Sequence, residues 1–377
     1  MSSPPRAGIR LTRRRLLSGA ASLGATSLLP APGPARERIE SLGALAADKG
    51  LLFGASFAVH ELDAPHGSQY AQLYEREVRL LTSELEFKLS TLRPDARTID
   101  FAPADRLLAF AHAHGLPVRG HTLIWNDALP DWIKAIDPRG AGHLLDTHID
   151  AVMTRYKGGV RYWDVVNEPI APWDRQPGNL RAGPFHSALG EGYISRSFRA
   201  AHAADPAARL VLNEAFTETA DEQGETFRRS LLALVRRLAA DNTPIDAIGL
   251  QCHLAHRYRY DFARFTAFID ELASLGYEIH LTELDVDDRF ETGSIAERDR
   301  RTADLYARFL AAVLPVRAIK VLSLWQLADH TSWLATTPLK GRGTPKPPPR
   351  PLVYDASFQK KLAWHAIADA FRAMPPR

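Results

Sequence analysis

Eight times between Leu51 and Phe371 a short apolar run gives way to an amphipathic stretch of helical period. The apolar runs are 51–57, 83–89, 116–125, 162–169, 209–215, 247–254, 278–286 and 319–328. Helical patterns follow at 70–81, 103–114, 143–156, 193–204, 222–240, 262–275, 296–314 and 361–371. Strict alternation predicts parallel strands joined by helical crossovers. Eight such units close into a barrel, and right-handed crossovers place the helices outside. The expected architecture is thus α/β: one (β/α)8 barrel over residues 36–377. Two stretches rich in Gly and Pro, 170–192 and 336–351, are read as long loops.

Residues 1–35 do not fit this alternation. They hold five arginines (Arg6, Arg10, Arg13, Arg14 and Arg15) and no acid, then a weakly apolar run from Leu17 to Leu29, then the small residues Gly33 and Ala35. That order reads as a secretory signal. The Arg13-Arg14 pair and modest hydrophobicity make it a twin-arginine type, so the twin-arginine export machinery is an expected partner and the destination secreted or periplasmic. The apolar run is too short and small-sided to span a bilayer, and no membrane is expected for the mature form. Removing the leader takes the net charge from +3 to −2, so the basic balance gives no reason to expect nucleic acid. The lone Cys252 excludes an internal disulfide framework and a thiolate metal cluster; within its strand-like run it reads as a buried, inert thiol.

In a parallel barrel, chemistry gathers at the carboxyl ends of the strands. The fourth run, Arg161-Tyr162-Trp163-Asp164-Val165-Val166-Asn167-Glu168-Pro169, stops at a carboxylate followed by proline, which cannot donate to a ladder. The seventh, Glu278 to Val286, carries Glu283 into its last turn. Two glutamates at two strand ends are the minimum equipment for glycoside hydrolysis. Glu84 and Lys88 are placed on strand two and His121 and Trp125 on strand three. Asn213 and Glu214 fall on strand five, Gln251 and His253 on six, Asp285 on seven. Trp325 ends strand eight and Trp333 follows it. Singly, such residues are more often packing or satisfied polar groups. Their convergence on one face gives the functional reading its weight.

These stretches resemble glycoside hydrolase family 10, the family of endo-β-1,4-xylanases, over essentially the whole mature chain. Val118 to Trp125 resembles the family's strand-three motif and Trp163-Asp164-Val165-Val166-Asn167-Glu168 its acid/base motif. Thr282-Glu283-Leu284-Asp285 resembles its nucleophile motif, and Pro351 to Asp355 the segment entering the last helix. The resemblance implies Glu168 as general acid/base and Glu283 as nucleophile, held roughly 5 Å apart as retention requires. It implies Asn167 at the sugar 2-hydroxyl, His253 beside the nucleophile with Asp285 behind it, and Asn213 in support. Glu84, Lys88, His121, Trp125, Gln251, Trp325 and Trp333 match sugar-binding positions. The implied substrate is xylan or a xylo-oligosaccharide, with no cofactor or metal, and the expected state is a monomer.

Four positions depart from the family pattern. Leu85 stands where Asn is usual, Gln326 where Gly is usual and Leu334 where Arg is common. Ala215 and Phe216 follow Asn213-Glu214, where a Tyr often stacks on the leaving group. These changes leave branched xylan, short oligosaccharides and another β-glycan open as substrates. A non-catalytic carbohydrate-binding barrel is the alternative from a different class, and its mark would be the loss of a catalytic carboxylate.

Overall fold

The computed structural model describes residues 40–336 and 347–377. The predicted leader and most of the loop 336–351 lie outside the described residues. The strands are β1 (Leu52–Phe57), β2 (Leu81–Ser83), β3 (Val118–Ile124), β4 (Tyr162–Asn167), β5 (Arg209–Glu214), β6 (Ala247–Leu250), β7 (His253–Ala255), β8 (Glu278–Asp287) and β9 (Ile319–Leu324). They pair in the order β6-β5-β4-β3-β2-β1-β9-β8, all parallel, and β6 pairs with β8 to close the barrel. The short β7 continues the sixth stave beyond a break at Gln251-Cys252 and pairs with the far end of β8. The helices are α1 (Leu42–Ala47), α2 (Gly67–Glu77), α3 (Leu89–Leu92), α4 (Ala102–Ala113), α5 (Pro138–Arg155), α6 (Pro184–Leu189), α7 (Gly192–Ala204), α8 (Glu222–Ala240), α9 (Phe262–Ser274), α10 (Ile295–Val313), α11 (Trp333–Thr336) and α12 (Leu362–Ala373).

The main core lies between sheet and helices and includes Phe53, Trp163, Leu212, Ile248, Phe309 and Trp364, all at most 1% exposed. A separate cluster of Leu80, Tyr162, Val211, Ala247 and Val321 gathers at the amino-terminal ends of the strands. Above it a polar layer crosses the lumen. Arg119 on β3 bonds Asp164 on β4 through both Nε (3.0 Å) and Nη2, and its Nη1 lies 3.3 Å from Nδ1 of His280 on β8. β3 and β8 are not neighbours, so that contact spans the barrel. Burial lowers the His280 pKa to about 4, so the ring is neutral and Nδ1 accepts from the guanidinium.

Five expectations are corrected. The helix at 70–81 ends at Glu77, because Val78 is extended (φ −110°, ψ 165°) and Arg79 N–H already donates to Phe53 O at 2.9 Å. Val78, Leu80 and Leu81 are fully buried beside the sheet, so their helical spacing was coincidental. The second strand consequently lies at Leu81–Ser83 rather than 83–89. Glu84 and Lys88 stand beyond it, where Glu84 N–H bonds Phe57 O at 3.0 Å and Lys88 precedes α3. The sixth strand is not continuous, because Cys252 has φ 61°. The stretch 170–192 is not a plain loop, since it contains α6 and the first residue of α7. The start of α5 at Pro138 rather than 143 was legible as an Asp-Pro pair: Asp137 accepts Gly140 N–H at 2.8 Å, and proline suits the first helical position.

Candidate active site

β4 delivers Glu168 to the mouth of the barrel. Its N–H donates to Asn213 O at 2.8 Å, extending the ladder by one residue, and its φ of 52° turns the chain out of the sheet. Ile170 then bridges Leu180, and Arg181 N–H donates to Pro169 O at 2.7 Å, which folds the connection back onto the strand end. Arg181 is thereby aimed at Glu168. Its Nη2 lies 2.9 Å from Glu168 Oε2, its Nε donates to Glu168 O at 2.8 Å, and its Nη1 pairs with Asp127 at 2.9 Å. Glu168 Oε1 accepts from Gln251 Nε2 at 3.0 Å.

β8 delivers Glu283 from the other side. Its Oε1 accepts from Asn213 Nδ2 at 2.7 Å, and its Oε2 lies 3.3 Å from His253 Nε2. His253 Nδ1 is 2.9 Å from Asp285 Oδ1, and Asp285 Oδ2 accepts from Trp333 Nε1 at 2.8 Å. Burial works against an imidazolium at His253, yet the charges of Asp285 and Glu283 outweigh it and push its pKa well up. Burial likewise raises the Glu283 carboxyl, but the hydrogen bond from His253 and the nearby His121 and His253 rings prevail and hold it below the usual range. Glu283 is thus kept as a carboxylate.

Three amide side chains span the two carboxyls. Gln251 Nε2 reaches Glu168 and, at 3.3 Å, Asn167 Oδ1; Asn213 Nδ2 reaches Asn167 Oδ1 (2.8 Å) and Glu283. Thr282 Oγ fixes Asn213 by donating to its Oδ1 at 2.8 Å. Gly249 makes room for this: a Cβ there would stand 2.2 Å from Asn213 Oδ1. Asn167 Nδ2, buried, has no partner among the described residues.

The surrounding cleft holds about 870 Å³ and is lined by Glu84, Lys88, His121, Trp125, Glu168, Gln251, His253, Glu283, Asp285, Trp325 and Trp333. Asn167 and Asn213 lie beneath its floor. His121 is fixed by Asp164, Nδ1 to Oδ2 at 2.9 Å, and Trp325 meets it edge-on at 5.2 Å. Lys88 holds its ammonium 5.0 Å over Trp125. All the side chains expected at the site therefore come together.

The departures are also placed. Gln326 adopts φ 80°, a conformation that favours glycine. Its side chain compensates: Oε1 accepts from Tyr74 OH at 2.8 Å and Thr331 Oγ at 3.1 Å, and Nε2 bonds Glu84 Oε2. Leu334 is buried, whereas Leu85 is exposed on the cleft wall. Burial pushes the Glu84 pKa to about 8. Its folded value exceeds the unfolded 4.5, so its contribution to stability is complete below about pH 4.5 and is lost as pH rises through about 8. Thermal unfolding of Glu84→Gln should show a flatter loss of Tm between pH 5 and pH 9 than the wild type. Parallel Tm curves would contradict a protonated Glu84.

Arg181, Asp127, Arg119 and Gln326 were not foreseen as site groups. Arg181 sits in a connection without periodicity and offers no sequence cue. Arg119 and Asp164 did offer one, since a charge inside an otherwise apolar strand must find a partner.

A closed parallel barrel whose mouth holds two carboxyls with different hydrogen-bond partners has the equipment of a glycoside hydrolase. The particular family follows from comparison: the chain belongs to glycosyl hydrolase family 10, whose model matches residues 41–370. A β-1,4-xylanase of Dictyoglomus thermophilum is 31% identical over 84% of this chain and 87% of its own. Endo-1,4-β-xylanase A of Thermoanaerobacterium saccharolyticum is 30% identical over 81% of this chain, as is an exoglucanase of Acetivibrio thermocellus. The chain spans only 26% and 27% of the length of those two relatives. Xylanase 10B of Thermotoga maritima superposes with a TM-score of 0.79 at 27% identity, covering 88% of this chain and 98% of its own. Xylanase 10B of Thermotoga petrophila in complex with xylobiose gives 0.78 at 26%, covering 88% and 97%.

Proposed function

We propose that this chain is an endo-1,4-β-xylanase that cleaves internal β-1,4-xylosidic bonds with retention of configuration. The observation that carries the reading is the unequal treatment of two glutamates at the barrel mouth, Glu168 just after β4 and Glu283 within β8. Glu283 is held ionised by His253 and Asn213 and is the nucleophile toward the anomeric carbon. Glu168, more open and bonded to Gln251, protonates the departing oxygen and then activates water against the glycosyl-enzyme ester. Asn167 Nδ2, unpartnered among the described residues, donates to the sugar 2-hydroxyl, a bond that strengthens in the transition state. Trp325 and Trp333 offer flat faces to sugar C–H groups, while Glu84, Lys88, His121 and Trp125 bind the chain on the non-reducing side. The xylanase relatives and the xylobiose complex of a structural neighbour support xylan as substrate.

The test is product analysis on xylan, with aryl-xyloside and aryl-cellobioside substrates in parallel. Xylo-oligosaccharides of mixed length, with weak aryl-cellobiosidase activity, are expected. Preferential cleavage of the cellobioside would favour another β-glycan, in keeping with the name of the Acetivibrio relative. We also propose that residues 1–35 direct twin-arginine export, so that the enzyme works outside the cytoplasm. Replacing Arg13 and Arg14 by lysine should leave precursor in the cytoplasm, and unchanged export of that variant would contradict the proposal.

A further inference from the structure

One wall of the cleft carries two arginines gathered on a single aspartate. Arg257 follows β7, and Asp287 and Arg289 stand at and just after the end of β8; all three line the cleft. Asp287 is shared by both arginines. Its Oδ2 accepts from Arg257 Nη1 at 2.6 Å and Arg289 Nη2 at 3.1 Å, and its Oδ1 from Arg289 Nε at 2.9 Å and N–H at 3.0 Å. The next carboxylates are engaged elsewhere, Asp288 with Arg298 at 2.6 Å and Glu291 with Arg301 at 2.8 Å. Two guanidinium groups thus share one carboxylate, and among the described residues no second carboxylate pairs with either of them.

Both groups are held in place. Arg257 lies 4.6 Å from the Tyr258 ring and 5.0 Å from the Phe290 ring. Arg289 lies 5.8 Å from the Trp333 ring. Arg257 Nε and Arg289 Nη1 have no hydrogen-bond partner among the described residues. A fixed guanidinium with a spare N–H matches a carboxylate, because the ordering cost is already met and the charge-assisted bond is strong. The place matters too. Trp333 bonds Asp285, which holds His253 against Glu283, so this pair lines the same cleft as the nucleophile and is linked to it through Trp333, Asp285 and His253.

The main chain of xylan is uncharged and gives an arginine pair nothing to neutralise. We propose that Arg257 and Arg289 form an anion site for the carboxylate of a uronic acid branch, carried on a sugar bound in the same cleft. The inference rests on the endo-xylanase reading and narrows its substrate to acidic, branched xylan. It also gives a role to the change at Leu334: the cation lost after the loop tryptophan is supplied from the β8 side, against the same indole.

The test compares two branched xylo-oligosaccharides of equal length, one bearing a uronic acid and one with that carboxyl reduced to hydroxymethyl. Unbranched xylohexaose is the third substrate. The wild type should favour the acid by about tenfold in kcat/KM, chiefly through KM. Salt at about 0.5 M should shrink that ratio toward one. Arg257→Gln should bring the ratio near one while leaving the carboxyl-reduced substrate unchanged, and Arg257→Lys should keep part of the preference. A wild-type ratio of one, or a ratio untouched by Arg257→Gln, overturns the anion site. Cleavage of xylohexaose with a ratio of one sinks this inference alone, whereas failure on all three substrates sinks the endo-xylanase reading beneath it.

Discussion

Glu283→Ala should lose more than about 10⁴-fold in kcat on every substrate, because without the nucleophile no glycosyl-enzyme forms. Glu168→Ala should behave differently. On xylan it should lose about 10²- to 10⁴-fold, the usual worth of positioned proton transfer. An activated aryl xyloside has a leaving group that needs little protonation, so this variant should still form the covalent intermediate and then accumulate it. Azide needs no general base. It should speed turnover of Glu168→Ala and yield a β-xylosyl azide. With Glu283→Ala it should enter from the vacated side and yield the α-azide. Exchanged stereochemistry would mean that the two roles are reversed. Wild-type activity of either variant on xylan would remove that residue from the mechanism.

The second large effect belongs to stability. Asp164 is 1% exposed and Arg119 is fully buried. Asp164→Asn keeps the shape but leaves Arg119 without its counter-charge and replaces one of the two oxygens shared by Arg119 and His121 with an amide NH2. Removing one member of a buried pair costs about 3–5 kcal/mol. Burial tends to raise the Asp164 pKa, but Arg119 and His121 outweigh it and lower it below the ordinary 3.8. With the folded value depressed, the stabilisation is present above the unfolded pKa and is lost as pH falls through the folded one. The Tm deficit of Asp164→Asn should therefore be full at pH 7 and close below about pH 4. A deficit independent of pH would point to packing damage instead of the lost charge.

The barrel was legible because its evidence is periodic. Eight apolar runs in strict alternation leave little freedom in topology, and the proline after Glu168 marks where a ladder must stop. The second strand was misplaced because Leu73, Val78 and Leu81 mimic one helical face while sheet pairing claims Val78 onward. The two glutamates were legible as candidates for a related reason: Glu168 directly follows an apolar strand and Glu283 is a carboxylate within another. Arg181 was not, since its approach to Glu168 depends on the Ile170–Leu180 bridge and on backbone bonds that leave no pattern in sequence. Gln326 was noticed as a departure, but its bonds to Glu84 and Tyr74 needed three elements brought together in space. The arginine pair around Asp287 was invisible in the same way, because Arg257 lies 30 residues from Asp287, in the connection after another strand.

The central claim is that Glu283 and Glu168 carry out a double displacement on a β-1,4-xylosidic bond. Proton NMR of xylohexaose hydrolysis, recorded within the first seconds to minutes before mutarotation, tests it most directly. The account predicts that the new reducing ends appear first as the β-anomer and drift later toward the α/β equilibrium. First appearance of the α-anomer would mean single displacement by water and would contradict the assignment of Glu283 as nucleophile.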